Sequence, residues 1–385
     1  VKLQRNGRTK ALAIGALAVV SSLTLAACGS DNNSNSSASS SPAAGGSSAA
    51  ASSIACSGAS GQLLGAGSTA QANAVTQWVK DFQAACSGVT VNYQATGSGA
   101  GITSFQSGKV AFAGSDAAMK PADVAKTEGT ACKSGGKGIN IPMIGGPIAI
   151  GYNLPGVSNL VLDAPTLAQI FTGKIAKWDD AAIKKLNPTA TLPSLPIQTF
   201  HRSDGSGTTA NFTAYLAAAA PTDYTLQPNK LWAAKGGQAA NGSAGLAAQV
   251  KQVQGSISYF ELSYATQQNI TTAQIATGAS APVAVSTDAA SKAIADAKVT
   301  GTAPDLTLDL TSAYTTKADG AYPIDLVTYE IACDKGNAPA TLPTLKAFLN
   351  YISSTQGQTS VASLGYFPLP ASLQAQVKTT INGLS

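Results

Sequence analysis

The chain has 385 residues, 44% of them hydrophobic and 11% charged, with 24 Lys and Arg against 19 Asp and Glu. Four of those cations (Lys2, Arg5, Arg8 and Lys10) crowd the start with no acid beside them, so the rest carries 20 cations against 19 acids, a net of about +1. That balance excludes the basic face that nucleic acid requires, and no later segment is long and apolar enough to span a bilayer.

Residues 1–27 read as a signal peptide, with a basic start and a largely apolar run from Ala11 to Leu25. The run ends Leu25-Ala26-Ala27-Cys28-Gly29, which resembles the lipobox of bacterial lipoproteins and implies lipidation of Cys28. Residues 28–55 are mostly Ser, Ala, Asn and Gly, which cannot repay the entropy of ordering, so a flexible tether with a reach of roughly 30 Å is expected. The sequence from residue 56 on is long enough for two lobes with real cores. Its cysteines are Cys56, Cys86, Cys132 and Cys333, an even set suited to two disulfides in an exported protein. Four cysteines allow three connectivities. Cys56 and Cys86 each stand just before an expected strand, and parallel neighbours would bring those starts together, which favours Cys56–Cys86 with Cys132–Cys333. A zinc site is not supported, because the chain has one His and no Cys-x-x-Cys.

Short apolar strands then alternate with amphipathic helices, the pattern of an α/β protein. Gln62-Leu63-Leu64 is a strand. Gly65-Ala66-Gly67-Ser68-Thr69 turns into a helix whose buried stripe is Val75, Trp78, Val79 and Phe82. Val89–Tyr93 is the next strand, followed by a Gly-rich turn and a short helix with Ile102 and Phe105. Val110-Ala111-Phe112 is a strand running into Gly114-Ser115-Asp116. Ile139–Leu154 and Ile324–Ile331 read as crossings between lobes. Asp163 with Pro165 marks a helix start. Ile197–Phe200 is a strand that leads through a Gly/Ser/Thr loop into a helix with Phe212, Tyr215 and Leu216. Two last helices carry Leu345, Phe348, Leu349 and Ile352, then Leu373 and Val377.

Arg202 is the sole arginine after the signal segment. It sits in His201-Arg202-Ser203-Asp204-Gly205-Ser206-Gly207-Thr208, between a strand and a helix. Arginine grips an oxyanion with a rigid fork. A helix start adds free N–H groups and the positive end of its dipole, and glycines let backbone approach an anion. The loops at Gly67-Ser68-Thr69, Gly97-Ser98-Gly99 and Gly114-Ser115-Asp116 share this design. Four of them predict several strand ends converging on one anion. Gly65-x-Gly67-x-x-Ala70 lacks the acid that a dinucleotide fingerprint needs about twenty residues on, and there is no Walker loop. His201 beside Ser203 and Asp204 is not a hydrolase signature, since no Gly-x-Ser-x-Gly elbow exists in the chain and triads assemble in space.

With these segments in place, the chain resembles the phosphate-binding protein of the bacterial phosphate-specific ABC transporter. The likeness runs from about Gly61 to the C-terminus. Besides the loops above it includes Phe171-Thr172-Gly173-Lys174-Ile175-Ala176-Lys177-Trp178-Asp179-Asp180 and Gly255-Ser256-Ile257-Ser258-Tyr259. It implies a two-lobed type II periplasmic-binding-protein fold, with one lobe from 56–146 and 324–385 and the other from 147–323. It also implies that Thr69 donates its hydroxyl to phosphate, Ala70 its N–H and Ser98 a hydroxyl, while Asp116 accepts the phosphate proton. Arg202 would make charge-assisted contacts with Asp204 holding its guanidinium, and Ser206, Gly207 and Thr208 would close the cage. Three positions depart from the family habit: Ala70 replaces a frequent aromatic, Gly99 a common second serine, and His201 another basic residue.

The resemblance further implies a monomeric receptor, not an enzyme, with no cofactor, metal or catalytic residue. Its partners would be inorganic phosphate and the permease subunits of an ABC transporter, and its place the outer face of the cell membrane, held there by lipid. A receptor for another oxyanion is disfavoured by Asp116, which needs a proton from its ligand. A secreted phosphatase would need a nucleophile with a base or a metal cluster. A surface adhesin or antigen role is compatible with binding.

Overall fold

The computed structural model describes residues 54–385. The expected signal peptide, Cys28 and the tether as far as Ser53 lie outside the described residues. Among the described residues no helix is long and apolar enough to cross a membrane.

Eight strands form one curled sheet, numbered here in chain order: β1 Gly61–Gly67, β2 Val89–Ala95, β3 Phe112–Ser115, β4 Gly138–Asn153, β5 Gln198–Arg202, β6 Gln238–Ala240, β7 Ser256–Glu261 and β8 Asp325–Cys333. Their order across the sheet is β2-β1-β3-β8-β4-β7-β5-β6. β1 pairs in parallel with β2 and β3, and β5 pairs in parallel with β6 and β7. Two parallel groups thus stand at the two ends, and the antiparallel β8 and β4 join them. β4 is the long link. Up to Pro147 it pairs with β8, and from Ile148 on it pairs with β7. It is buried along nearly its whole length, which is why its sequence is a continuous apolar run without alternation.

Five helices bear on the site: α1 Ala72–Ala85, α2 Ser98–Gln106, α3 Gly207–Ala219, α4 Gly242–Gln252 and α5 Leu342–Ile352. α1 buries Val75, Trp78 and Phe82 of the predicted stripe, and Val79 packs against the core half-buried. Phe82 meets Phe348 of α5 at a ring separation of 5.4 Å, and Phe348 meets Phe112 of β3 at 5.8 Å, which makes the core of the first group. In the second group Phe212 stacks on Tyr259 at 4.4 Å and meets Phe171 at 4.9 Å. Burying side chains of this size stabilises each core by roughly 1.5–3 kcal/mol apiece.

Cys56 joins Cys86 and Cys132 joins Cys333, each with Cα atoms 5.4 Å apart. The first bridge closes the starts of the parallel pair β1 and β2, where Gly61 lies opposite Val89. One expected boundary shifts. The strand expected from Val110 begins at Phe112, because Val110 and Ala111 still belong to the bend leaving α2. Asp163 does start a helix, accepting from the N–H of Thr166 at 2.9 Å. Two motif segments prove structural. The indole of Trp178 is fully buried and donates to the Gly255 carbonyl at 2.9 Å, while Asp180 caps the helix that follows.

Candidate functional site

Five strand ends open toward one another. The turn Ser68-Thr69-Ala70 leads from β1 to α1, and Gly97 leads into α2 at Ser98. Asp116 follows β3 directly. Arg202 ends β5, and its loop runs to Ser206, the N-cap of α3, whose hydroxyl accepts from the Thr209 N–H at 3.1 Å. Asn241-Gly242-Ser243 leads from β6 into α4. All lie at carboxyl ends of strands, where open α/β sheets place their ligands.

Arg202 is 2% exposed. Its Nε donates to Asp204 Oδ1 at 2.7 Å and its Nη2 to Asp204 Oδ2 at 2.5 Å, a two-point grip that fixes the plane of the guanidinium. Nη1 is left to reach the Ser243 hydroxyl at 3.2 Å. Burial works against the charge of Arg202, but the Asp204 carboxylate outweighs it and raises the pKa. Burial likewise pushes Asp204 up, and the guanidinium overcomes it and holds the carboxyl below its usual range.

Asp116 is 2% exposed and accepts from Ser68 Oγ at 2.5 Å and Ser98 Oγ at 3.1 Å. Burial pushes its carboxyl up to about 7, with the Glu261 carboxyl acting in the same direction against the hydroxyl donors and Arg202. Ser98 Oγ also accepts from the Gly207 N–H at 3.1 Å, and the Asp116 carbonyl accepts from Asn211 Nδ2 at 2.6 Å. Gly99 donates its N–H to the Gly205 carbonyl at 2.8 Å. The two parallel groups therefore touch directly across the cleft. Glycine permits this approach: a Cβ on Gly207 would lie 2.6 Å from Asp116 Cβ. Gly97 takes a φ of +92°, and a side chain there would strike Asp204.

The structure brings together Thr69, Ala70, Ser98, Asp116, Arg202, Asp204, Ser206, Gly207 and Thr208, the whole set singled out from the sequence. Their hydroxyls already have partners. Thr208 donates to Glu261 Oε1 at 2.6 Å, and Thr69 shares a hydrogen bond with Ser243 at 3.0 Å. Sequence reasoning missed Glu261, Ser243, Asn211 and the role of Ser68. Two of these left signals. Glu261 is the lone acid closing the apolar strand Ser256–Glu261, and Asn241-Gly242-Ser243 is a fifth strand-to-helix turn of the same Gly/Ser design. His201 stacks its ring on Trp232 at 5.2 Å, with Nδ1 3.1 Å from the Arg202 carbonyl. It is a half-buried strand residue, since the strand runs on to Arg202.

A family model described as the PBP superfamily domain matches residues 36–356. Phosphate-binding protein PstS 3 of Mycobacterium leprae is 40% identical over 374 residues, covering 97% of this chain and 98% of its own. Phosphate-binding protein PstS of Xylella fastidiosa is 34% identical, covering 82% of this chain and 84% of its own. Among solved structures, a high-affinity periplasmic phosphate-binding protein bound with phosphate superposes with a TM-score of 0.67 at 21% identity, covering 84% of this chain and 99% of that one. A phosphate-binding protein from Stenotrophomonas maltophilia gives 0.63 at 20% identity, covering 83% and 93%. At such identities these structures speak for the two-lobed fold alone.

Proposed function

We propose, for a chain that belongs to the PstS phosphate-binding proteins of the PBP superfamily, that it captures inorganic phosphate in the cleft and delivers it to an ABC transporter for import. The observation that carries this reading is the setting of Arg202. A buried guanidinium, held on two sides by Asp204, points its remaining nitrogen into a ring of strand ends that present hydroxyls and helix N–H groups. Thr69, Ala70, Ser98, Ser206, Gly207 and Thr208 would supply donors to the phosphate oxygens, with Ser98 and Thr208 turning their hydroxyl hydrogens away from Asp116 and Glu261 to do so. Asp116 would accept the proton that phosphate carries near neutral pH and sulfate lacks.

The change of partner along β4 at Pro147 and Ile148 supports a division into one lobe of 56–146 with 324–385 and another of 147–323. The anion would then join two lobes, and closure would report occupancy to the permease. We read the chain as a receptor and not an enzyme, monomeric, extracytoplasmic and tethered to the membrane through lipid on Cys28. Calorimetry against phosphate, sulfate and molybdate tests the binding reading, which fails if phosphate gives no heat of binding. Incubation with a chromogenic phosphate ester should release no product. A Cys28→Ala chain should leave the membrane fraction with its phosphate affinity unchanged.

A further inference from the structure

The N-terminus of α4 lacks a cap of its own. Asn241 holds the N-cap position but makes no side-chain hydrogen bond to the first turn, where an N-cap side chain ordinarily satisfies one free N–H. Two residues of the proposed phosphate site satisfy these groups instead. Asp204 Oδ1 accepts from the Gly242 N–H at 3.1 Å, and Thr69 Oγ1, from the opposite side of the cleft, accepts from the Ser243 N–H at 3.1 Å. Ser243 is fully buried, and its hydroxyl lies 3.2 Å from Arg202 Nη1 and 3.0 Å from Thr69 Oγ1.

The chemistry of the groups fixes the first of these bonds and allows the second to run on from it. A guanidinium only donates, so Ser243 Oγ accepts from Arg202. The hydrogen of Ser243 is then available to Thr69. With that hydrogen given to Thr69, Thr69 Oγ1 accepts from both the Ser243 N–H and the Ser243 hydroxyl, which fills its two lone pairs. Its own hydrogen is left over, and Thr69 can act toward a third group as a donor alone. We infer that Ser243 is a positioning residue that locks Thr69 as a donor to the bound anion and latches the cleft shut by tying Thr69 to Arg202. The chain from Arg202 through Ser243 to Thr69 runs in one direction, so each bond polarises the next. Opening the cleft parts Thr69 from this chain and leaves the Ser243 N–H without its acceptor, while Asp204, on the same side as α4, keeps the Gly242 N–H.

This inference rests on the phosphate-binding reading, and the test separates the two. Phosphate association and dissociation rates are measured by stopped flow, beside calorimetry and thermal melts, for wild type, Ser243→Ala, Thr69→Val and the double variant. A latch acts on the bound state, so Ser243→Ala should dissociate phosphate about tenfold faster with association within about twofold. Because Ser243 works through Thr69, adding Ser243→Ala to Thr69→Val should change dissociation by less than about threefold. Loss of stability alone would lower the melting temperature without this non-additivity. Dissociation from Ser243→Ala within about twofold of wild type, or an undiminished effect of Ser243→Ala in the Thr69→Val background, would overturn the latch while leaving phosphate binding intact. A wild-type chain that binds no phosphate would overturn both.

Discussion

Replacing Asp116 with asparagine should change which tetrahedral anions the cleft accepts and how that choice depends on pH. An ionised Asp116 can only accept, so the anion facing it must bring a proton. Phosphate does and sulfate does not. A protonated Asp116 donates, and sulfate is then tolerated. Sulfate binding should therefore follow the protonated fraction of Asp116. With the carboxyl pushed up to about 7, that fraction is about 90% at pH 6 and about 10% at pH 8, so sulfate should bind about tenfold more weakly at the higher pH. The same arithmetic caps what Asp116 contributes to selectivity: the penalty cannot exceed the cost of protonating it, about tenfold at pH 8. Buried polar mismatches can discriminate by about 10⁴–10⁵, and the raised midpoint keeps this one far below that limit. Asp116→Asn should bind sulfate with the same affinity at both pH values, and more tightly than wild type at pH 8. Titration calorimetry of both chains with both anions decides it. A hundredfold fall would mean that Asp116 titrates in the ordinary carboxylate range before the cleft closes. A flat sulfate profile for wild type, or a slope that survives in Asp116→Asn, would refute the proton-matching role.

Arg202→Lys should lose roughly 2–5 kcal/mol of phosphate binding, since one ammonium cannot hold Asp204 at two points and reach Ser243 as well; binding within about threefold of wild type by calorimetry would count against Arg202 as the clamp. Gly207→Ala should weaken binding by holding the halves apart, because its Cβ would press on Asp116 at 2.6 Å, and small-angle scattering with phosphate should show a larger radius of gyration while the melting temperature stays near that of wild type. Asp325 is fully buried, neither carboxyl oxygen has a partner, and burial raises its pKa well above the usual range. The folded chain keeps this proton while the unfolded chain loses it above about pH 4, so the stability it contributes falls as pH rises from there toward the raised folded value. In thermal melts the advantage of Asp325→Asn over wild type should therefore grow from pH 4 to pH 8, and a constant difference would show that Asp325 does not titrate on unfolding.

Elements whose signal is local were legible in the sequence. The stripe of α1, the cap at Asp163 and the apolar run of β4 each follow from spacing or side-chain chemistry within a few residues. The disulfide pairing followed because two parallel strands place their starts side by side. The pairing of β4 was not legible in detail, since its change from β8 to β7 depends on strands more than a hundred residues away. The site was legible where glycines and hydroxyls cluster before a helix. Glu261 stood out as the lone acid of an apolar strand, but its partner did not, because a single acid at a strand end looks the same whether it faces water or, as here, the Thr208 hydroxyl. Ser243 carried the right local pattern, but its meaning lies in Thr69, 174 residues earlier.

The charge around the cleft constrains how an anion can be held there. One guanidinium stands among the carboxyl groups of Asp204, Asp116 and Glu261, so the surroundings are not a positive trap. Asp204 already neutralises Arg202, and Asp116 adds to the repulsion whenever it is ionised. On the phosphate-binding reading the attraction comes instead from oriented dipoles: the helix starts of α1, α2 and α3, and hydroxyls whose hydrogens are steered by their neighbours. Dipoles of this kind act over a few ångströms and reward the right shape and proton count more than total charge. A site that relied on net charge would hold sulfate, which carries two charges and no proton, at least as well as phosphate. On this reading Arg202 sets the plane of recognition and Asp116 counts protons, while each hydroxyl passes to the anion whatever donor character its neighbours leave it.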